Sequence, residues 1–212
     1  MNWERLVEVV RQEGLQLTVQ HLELVGVSLS VAIVVAIPVG ILVTRPPFNK
    51  WSLQILAFLN TAQGVPSLAV VAIFLPIMGI GRVPSLFALT IYALLPIARN
   101  VIAGIEGVDP DVLEAARGMG MSRGRVLTRI ELPLALPVII AGVQTSAVLT
   151  VGTATLAHLI AGGGLGRLIF SGISMHRPDY IIAGSLMTAA LAILIDQVIG
   201  LIHRWISARF SG

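Results

Sequence analysis

Nearly a third of the charged side chains of this chain lie between Asp109 and Pro133. The stretch reads Asp-Pro-Asp-Val-Leu-Glu-Ala-Ala-Arg-Gly-Met-Gly-Met-Ser-Arg-Gly-Arg-Val-Leu-Thr-Arg-Ile-Glu-Leu-Pro. These residue types supply contact chemistry. Alanines let two backbones approach, glycine permits a turn, and Glu114 with the arginines offers a polar rim that fixes orientation. A second set of polar residues sits inside apolar stretches: Gln63 beside Pro66, then Gln144, Thr145 and Ser146, and Asp196. A polar group within an apolar helix needs an internal partner or a watery surface, so these are candidates for a translocation path or gate. Structural glue between helices is the competing reading for the first five of them; Asp196, near the basic end of its segment, has an arginine partner across the bundle or simple snorkelling to water as its competing readings.

Other chemistries find no support. The chain has no cysteine, so thiolate and disulfide chemistry are excluded. His158, His176 and His203 are too dispersed to suggest a metal site. The single lysine, Lys50, follows Phe48 and Asn49, so no phosphate-binding Gly-x-x-x-x-Gly-Lys-Ser/Thr loop exists. Gly162, Gly163, Gly164 and Gly166 follow no strand and read as a flexible outer loop instead of a nucleotide cradle. The chain is expected to be no enzyme and to bind no cofactor or metal.

The elements that must position these residues are membrane helices. Apolar residues make up 56% of the 212 and charged residues 12%, with a mean hydropathy of +0.91, a balance unsuited to a water-facing surface. The net charge of +3 is too small and dispersed to argue for nucleic acid. The N-terminus lacks the pattern of a cleaved leader and is read as mature chain. Residues 3–10 suit a short amphipathic interfacial helix, with Leu6, Val7 and Val10 apolar and an end near Gly14.

Five apolar segments, about 22–43, 53–78, 85–103, 134–156 and 181–202, are long enough to span a bilayer. Gln63-Gly64-Val65-Pro66 predicts a kink or break in the second, with freed carbonyls facing other helices, and residues 79–84 a tight reversal. The stretch 168–173 is too short to span and predicts a helix at or dipping into the surface. No segment alternates as a membrane barrel strand would. The expected fold is one all-α polytopic membrane domain over residues 1–212. If the charged island is cytoplasmic, that side holds Arg45, Lys50, Arg99, Arg117, Arg123, Arg125, Arg129, Arg204 and Arg209, leaving Arg5, Arg11, Arg82, Arg167 and Arg177 opposite. This bias predicts the N-terminus outside and the C-terminus inside.

Within the island, Asp109 can cap a helix whose first residue is Pro110, with Asp111 favourably placed in the first turn. Gly118 and Gly120 end it, and Ser122 can cap a second helix carrying Val126, Leu127 and Ile130. The prediction is a two-helix knob over about 109–130.

Glu114-Ala115-Ala116, then Gly120, then Ile130 with Leu132-Pro133 resembles the signature loop of membrane subunits of binding-protein-dependent ABC importers. The segments Asn60-Thr-Ala-Gln-Gly-Val-Pro-Ser-Leu-Ala, Leu95-Pro-Ile-Ala-Arg-Asn and Ile160-Ala-Gly-Gly-Gly-Leu-Gly are similar to the osmoprotectant branch, importers of glycine betaine, carnitine or choline. The resemblance implies a type I importer permease fold in a prokaryotic plasma (inner) membrane. It implies a cytoplasmic coupling loop centred on Glu114, Ala115, Ala116 and Gly120, with Arg123, Ile130, Leu132 and Pro133 completing the ATPase contact.

The implied partners are two ATP-binding cassette subunits that carry ATP and Mg, a second identical or homologous permease chain, and a substrate-binding protein, free, lipid-anchored or fused. Membrane lipid surrounds the assembly. Trp3, Trp51 and Trp205 fall near span boundaries, while Tyr92, Phe58, Phe74 and Phe87 read as packing residues, so selectivity is expected to reside mainly in the receptor. Two alternatives stand at this point: a permease for another small solute such as an amino acid, and a non-transporting membrane scaffold or regulatory subunit.

Overall fold

The computed structural model describes residues 3–210, the side chains of residues 3, 5, 6, 71, 209 and 210 excepted. The expectations for the first two residues, and for the side chains of Trp3, Arg5, Leu6 and Arg209, lie outside the described residues. One continuous helix opens the chain: α1 (Trp3–Val9) runs through a π-helical turn (Val10–Gly14) into α2 (Leu15–Val43). The expected stop at Gly14 is not there. A Cβ on Gly14 would lie 2.8 Å from Met187 Cε, so the glycine serves close approach of the first helix to the last. The wider turn absorbs the local change of register.

A 3-10 turn (Phe48–Trp51) leads into α3 (Ser52–Ala62), which is followed by α4 (Ser67–Met78). The two helices meet at 99° across Gln63–Pro66. The break forms because Pro66 has no N–H to donate and biases the preceding residue away from the helical region. Gly79 and Gly81, at φ +72° and +138°, then reverse the chain into α5 (Arg82–Glu106), which starts three residues before the predicted boundary. Next come α6 (Pro110–Gly118) and α7 (Arg123–Val126), then a π-helical turn (Leu127–Glu131) running directly into α8 (Leu132–Ala154). A 3-10 segment (Thr155–Ile160), α9 (Gly166–Ser174) and α10 (Pro178–Phe210) complete the chain.

Four helical segments, Val7–Val43, Arg82–Glu106, Arg123–Ile160 and Pro178–Ala208, are long and apolar enough to cross a bilayer, and α3 with α4 makes a fifth crossing if the bent pair is one span. α5 packs between α2 and α8 through small residues: Ala32, Ala36, Ala93, Ala98 and Ala135 are buried with Ile97, Val101 and Ile139. Between membrane helices such residues allow the backbone approach from which van der Waals packing gains most. A second cluster joins Leu17, Leu24, Val151, Leu165, Leu168 and Leu191 around the start of α10.

The glycine-rich loop is tightly packed, contrary to the expected flexible loop. Leu165 is fully buried, and a Cβ on Gly166 would lie 1.9 Å from the Thr155 carbonyl oxygen. The short helix α9 forms where expected and packs by one side, Leu168 and Gly172 being buried against the start of α10. Phe74 and Phe87 pack edge to face, ring centroids 4.9 Å apart, between α4 and α5.

A polar elbow and two polar sites in the helical bundle

The elbow between α5 and α8 begins as its sequence dictates. Asp109 Oδ1 accepts the Asp111 N–H at 2.9 Å and Pro110 occupies the first turn. α6 ends where Gly120 takes φ +76°, a conformation that suits glycine. Ser122 sits at the expected cap position, but its side chain makes no capping bond. The second helix of the predicted knob is not separate: α7 and the π turn are the first turns of the 38-residue helical segment Arg123–Ile160. Pro133 explains the π turn, because its ring crowds the carbonyl four residues back and offers it no donor. The helix widens there, and the Leu132 N–H reaches the Leu127 carbonyl five residues away.

Glu114, Ala115, Gly120 and Arg123 are exposed on this elbow, and Met119 projects beside them with 75% of its surface accessible. A Cβ on Gly118, Gly120 or Gly124 would meet nothing within 4 Å, so the outer surface is open. Ala116 points the other way: it is 1% exposed, with its carbonyl taking the Met121 N–H at 3.2 Å. It therefore supports the surface from beneath, where the sequence reading put it at the centre. Ile130, Leu132 and Pro133 are half-buried and form the base of the elbow.

Beside that base lies a pair the sequence reading missed. Glu131, only 3% exposed, accepts Arg45 Nη1 at 3.0 Å on one carboxylate oxygen and Arg45 Nη2 on the other. The pair borders a cavity of ≈ 730 Å³ lined also by Thr44, Asn49, Arg117 and Arg123. The available signal was a carboxylate inside the apolar run Ile130–Leu134, which demands a partner.

The candidate path residues fall into separate groups. Gln144 Nε2 donates to Asp196 Oδ1 at 2.7 Å, and both border a cleft of ≈ 370 Å³ between α8 and α10 with Thr145 and His203. Asp196 is thus held by a neutral amide. Thr145 also bonds back to the Ala141 carbonyl. Ser146 is fully buried and donates to the Ala93 carbonyl at 2.8 Å, joining α8 to α5 and facing away from the cleft. Gln63 and Pro66 lie at the break between α3 and α4, and neither borders that cleft. The Gln63 side-chain nitrogen is buried without a hydrogen-bond partner among the described residues.

At the other end of the bundle His21 was also missed. It is fully buried, with Nε2 3.0 Å from the Val151 carbonyl and Nδ1 3.2 Å from the Leu165 nitrogen. Both contacts are satisfied by a neutral ring protonated on Nε2, so α2, α8 and the glycine loop meet on one imidazole. Nearby, Arg167 pairs with Glu13 at 3.6 Å and Arg82 pairs with Glu23. The sequence signal was the polar pair Gln20-His21 at the head of an apolar span.

Buried small-residue seams, a broken second span and a polar elbow ahead of the fourth describe a polytopic helical membrane protein, and its fold matches solved permeases of the type I ABC importer class. The chain belongs to the family of binding-protein-dependent transport system inner membrane components, matched over residues 36–212. It is 41% identical over 197 residues to the glycine betaine/carnitine/choline transport system permease protein OpuCB of Bacillus subtilis, covering 93% of this chain and 90% of that one. It is 40% identical to the choline transport system permease protein OpuBB of the same organism, covering 94% and 92%. With the osmoprotectant import permease protein OsmY of Salmonella typhimurium it shares 38% identity, covering 91% and 80%. In fold it is similar to a chain of the MetNI methionine ABC transporter in an inward-facing conformation, with a TM-score of 0.80, 24% identity, and 92% and 98% of the two chains covered.

Proposed function

We propose that this chain is the membrane subunit of an ATP-driven importer for quaternary-amine osmoprotectants such as glycine betaine, carnitine or choline. The observation that carries the substrate class is the similarity, over nine-tenths of the chain, to permeases named for those solutes. Glu114, Ala115, Gly120 and Arg123 form the surface that enters a cleft on one of two partner ATPase subunits, the elbow of the second permease chain engaging the other, with Met119 as the projecting apolar anchor. Ala116, Ile130, Leu132 and Pro133 hold that surface in place. ATP and its magnesium ion belong to those partners, because this chain has no phosphate loop.

Two permease chains, identical or homologous, enclose the pathway, and a substrate-binding protein delivers solute on the side opposite the elbow. The chain lies in the inner membrane with the N-terminus outside and the C-terminus cytoplasmic, in keeping with the excess of arginine at the elbow end. Transport follows alternating access: the nucleotide state of the ATPases changes the relative stability of two membrane conformations. Gln63 and Pro66 at the helix break, and Gln144, Thr145 and Asp196 at the α8–α10 cleft, are the proposed path or gate residues. The test is uptake into vesicles containing the complete complex. Receptor-dependent accumulation of at least one of glycine betaine, choline or carnitine is expected, and accumulation of amino acids in their place would overturn the substrate assignment.

A further inference from the structure

We infer that Arg45 and Glu131 are a positioning pair for transport, tying the base of the elbow to the turn that starts α3 so that elbow movement is delivered to the broken helix α3–α4. The inference rests on reading the elbow as the ATPase contact. Glu131 is the last residue of the π turn, so it moves with both the elbow and α8. Its carboxylate engages both terminal nitrogens of Arg45 in a fork that fixes direction as well as distance. Arg45 is in turn built into the next turn of chain: its carbonyl accepts the Phe48 N–H at 2.8 Å and the Asn49 N–H at 3.0 Å. Those two residues open the 3-10 segment that leads straight into α3. A shift of Glu131 therefore pulls on the start of the helix that breaks by 99° at Gln63–Pro66.

The pair adds a directional polar link to apolar packing in which Leu59 of α3 and Leu132 of α8 share one cluster. The ≈ 730 Å³ cavity beside the pair is lined by Thr44 and Asn49 on the α2–α3 turn and by Arg117 and Arg123 on the elbow. The ion pairs Arg82–Glu23, Arg167–Glu13 and Arg177–Asp179 lie at the opposite end of the bundle. Stability alone does not account for the pair, since apolar residues of similar volume commonly hold two helices equally well. What a part-buried fork adds is a single geometry between the two segments.

The experiment measures uptake, ATP hydrolysis and co-purification of the ATPase subunits for the full complex in proteoliposomes. Arg45→Gln and Glu131→Gln are expected to retain the ATPase subunits while uptake per ATP hydrolysed falls about tenfold or more. A second arm uses the absence of native cysteine: Arg45→Cys with Glu131→Cys, joined by a bifunctional methanethiosulfonate of matching length, should regain uptake on cross-linking and lose it on reduction. A loss that merely reflected weakened folding would not respond to that reversible bridge. If the glutamine variants do not accumulate, Arg45→Lys, which keeps the charge without the fork, and the cysteine pair carry the test. Undiminished coupled uptake in the glutamine or lysine variants, or inhibition by the cross-link, overturns the inference. Gly118→Trp tests the elbow separately: retention of the ATPase subunits with coupled uptake would refute the underlying reading. If Gly118→Trp sheds those subunits while Arg45→Gln transports normally, only the positioning role fails.

Discussion

His21 illustrates how one side chain can hold three segments of a membrane bundle. His21→Phe fills most of the space but leaves the Leu165 N–H and the Val151 carbonyl without their partner. Each orphaned group costs about 1–3 kcal/mol, so the unfolding midpoint in detergent should fall clearly, as tryptophan fluorescence would report. Glycines give a sharper contrast. Gly166→Ala forces a methyl onto the Thr155 carbonyl and should destabilise the isolated chain by about 1–3 kcal/mol. Gly152→Ala, with nothing within 4 Å of the added carbon, should leave stability within about 1 kcal/mol. Equal shifts for the two variants would contradict the packing described at the glycine loop. Little of this was legible beforehand. Residue type announced that Glu131, Gln144 and Asp196 needed partners, but only chain folding supplied Arg45 for the first and paired the other two. Ser146 could not be separated from Thr145 without knowing which face α5 covers.

At the scale of elements, proline and glycine made several boundaries readable and misled at others. Pro66, with Gly64 two residues before it, broke the second span as expected, whereas Pro38, Pro76, Pro96 and Pro137 lie inside continuous helices. Gly14 and Pro133, read as a helix end and a loop boundary, lie within continuous helix that widens into π turns. Gly120 is a true terminator, since its φ of +76° is costly for a residue with a Cβ. Gly120→Val should therefore insert into membranes normally yet misdirect α6. Co-purification of the ATPase subunits is expected to be lost while a fluorescent fusion still reports normal membrane yield. Retained association and coupled uptake would show that the turn geometry is dispensable. The elbow's first cap, at Asp109, followed from local chemistry. Its continuity with α8 did not, because that depends on how the helix accommodates Pro133.

At the scale of the whole molecule, charged residues sort to two ends: Glu13, Glu23, Arg82 and Arg167 at one, and Arg45, Glu131 and the elbow arginines at the other. A chain without cysteine allows the sides to be tested directly. Single Met119→Cys should react with a membrane-impermeant thiol reagent only from the cytoplasm, and His176→Cys only from outside; the reverse pattern would invert the proposed topology. The outer face of α10 leaves Leu186, Ile193, Leu194, Val198 and Trp205 exposed, a surface for lipid or a second permease chain. The order of amino acids by itself determined a helical membrane protein with a polar elbow, because long apolar runs and local helix signals act through neighbouring residues. Tertiary structure alone decided that Arg45 meets Glu131, that His21 closes the glycine loop, and that Ala116 faces inward. Those outcomes depend on helix rotation and on contacts between residues far apart in the chain, which hydropathy does not encode.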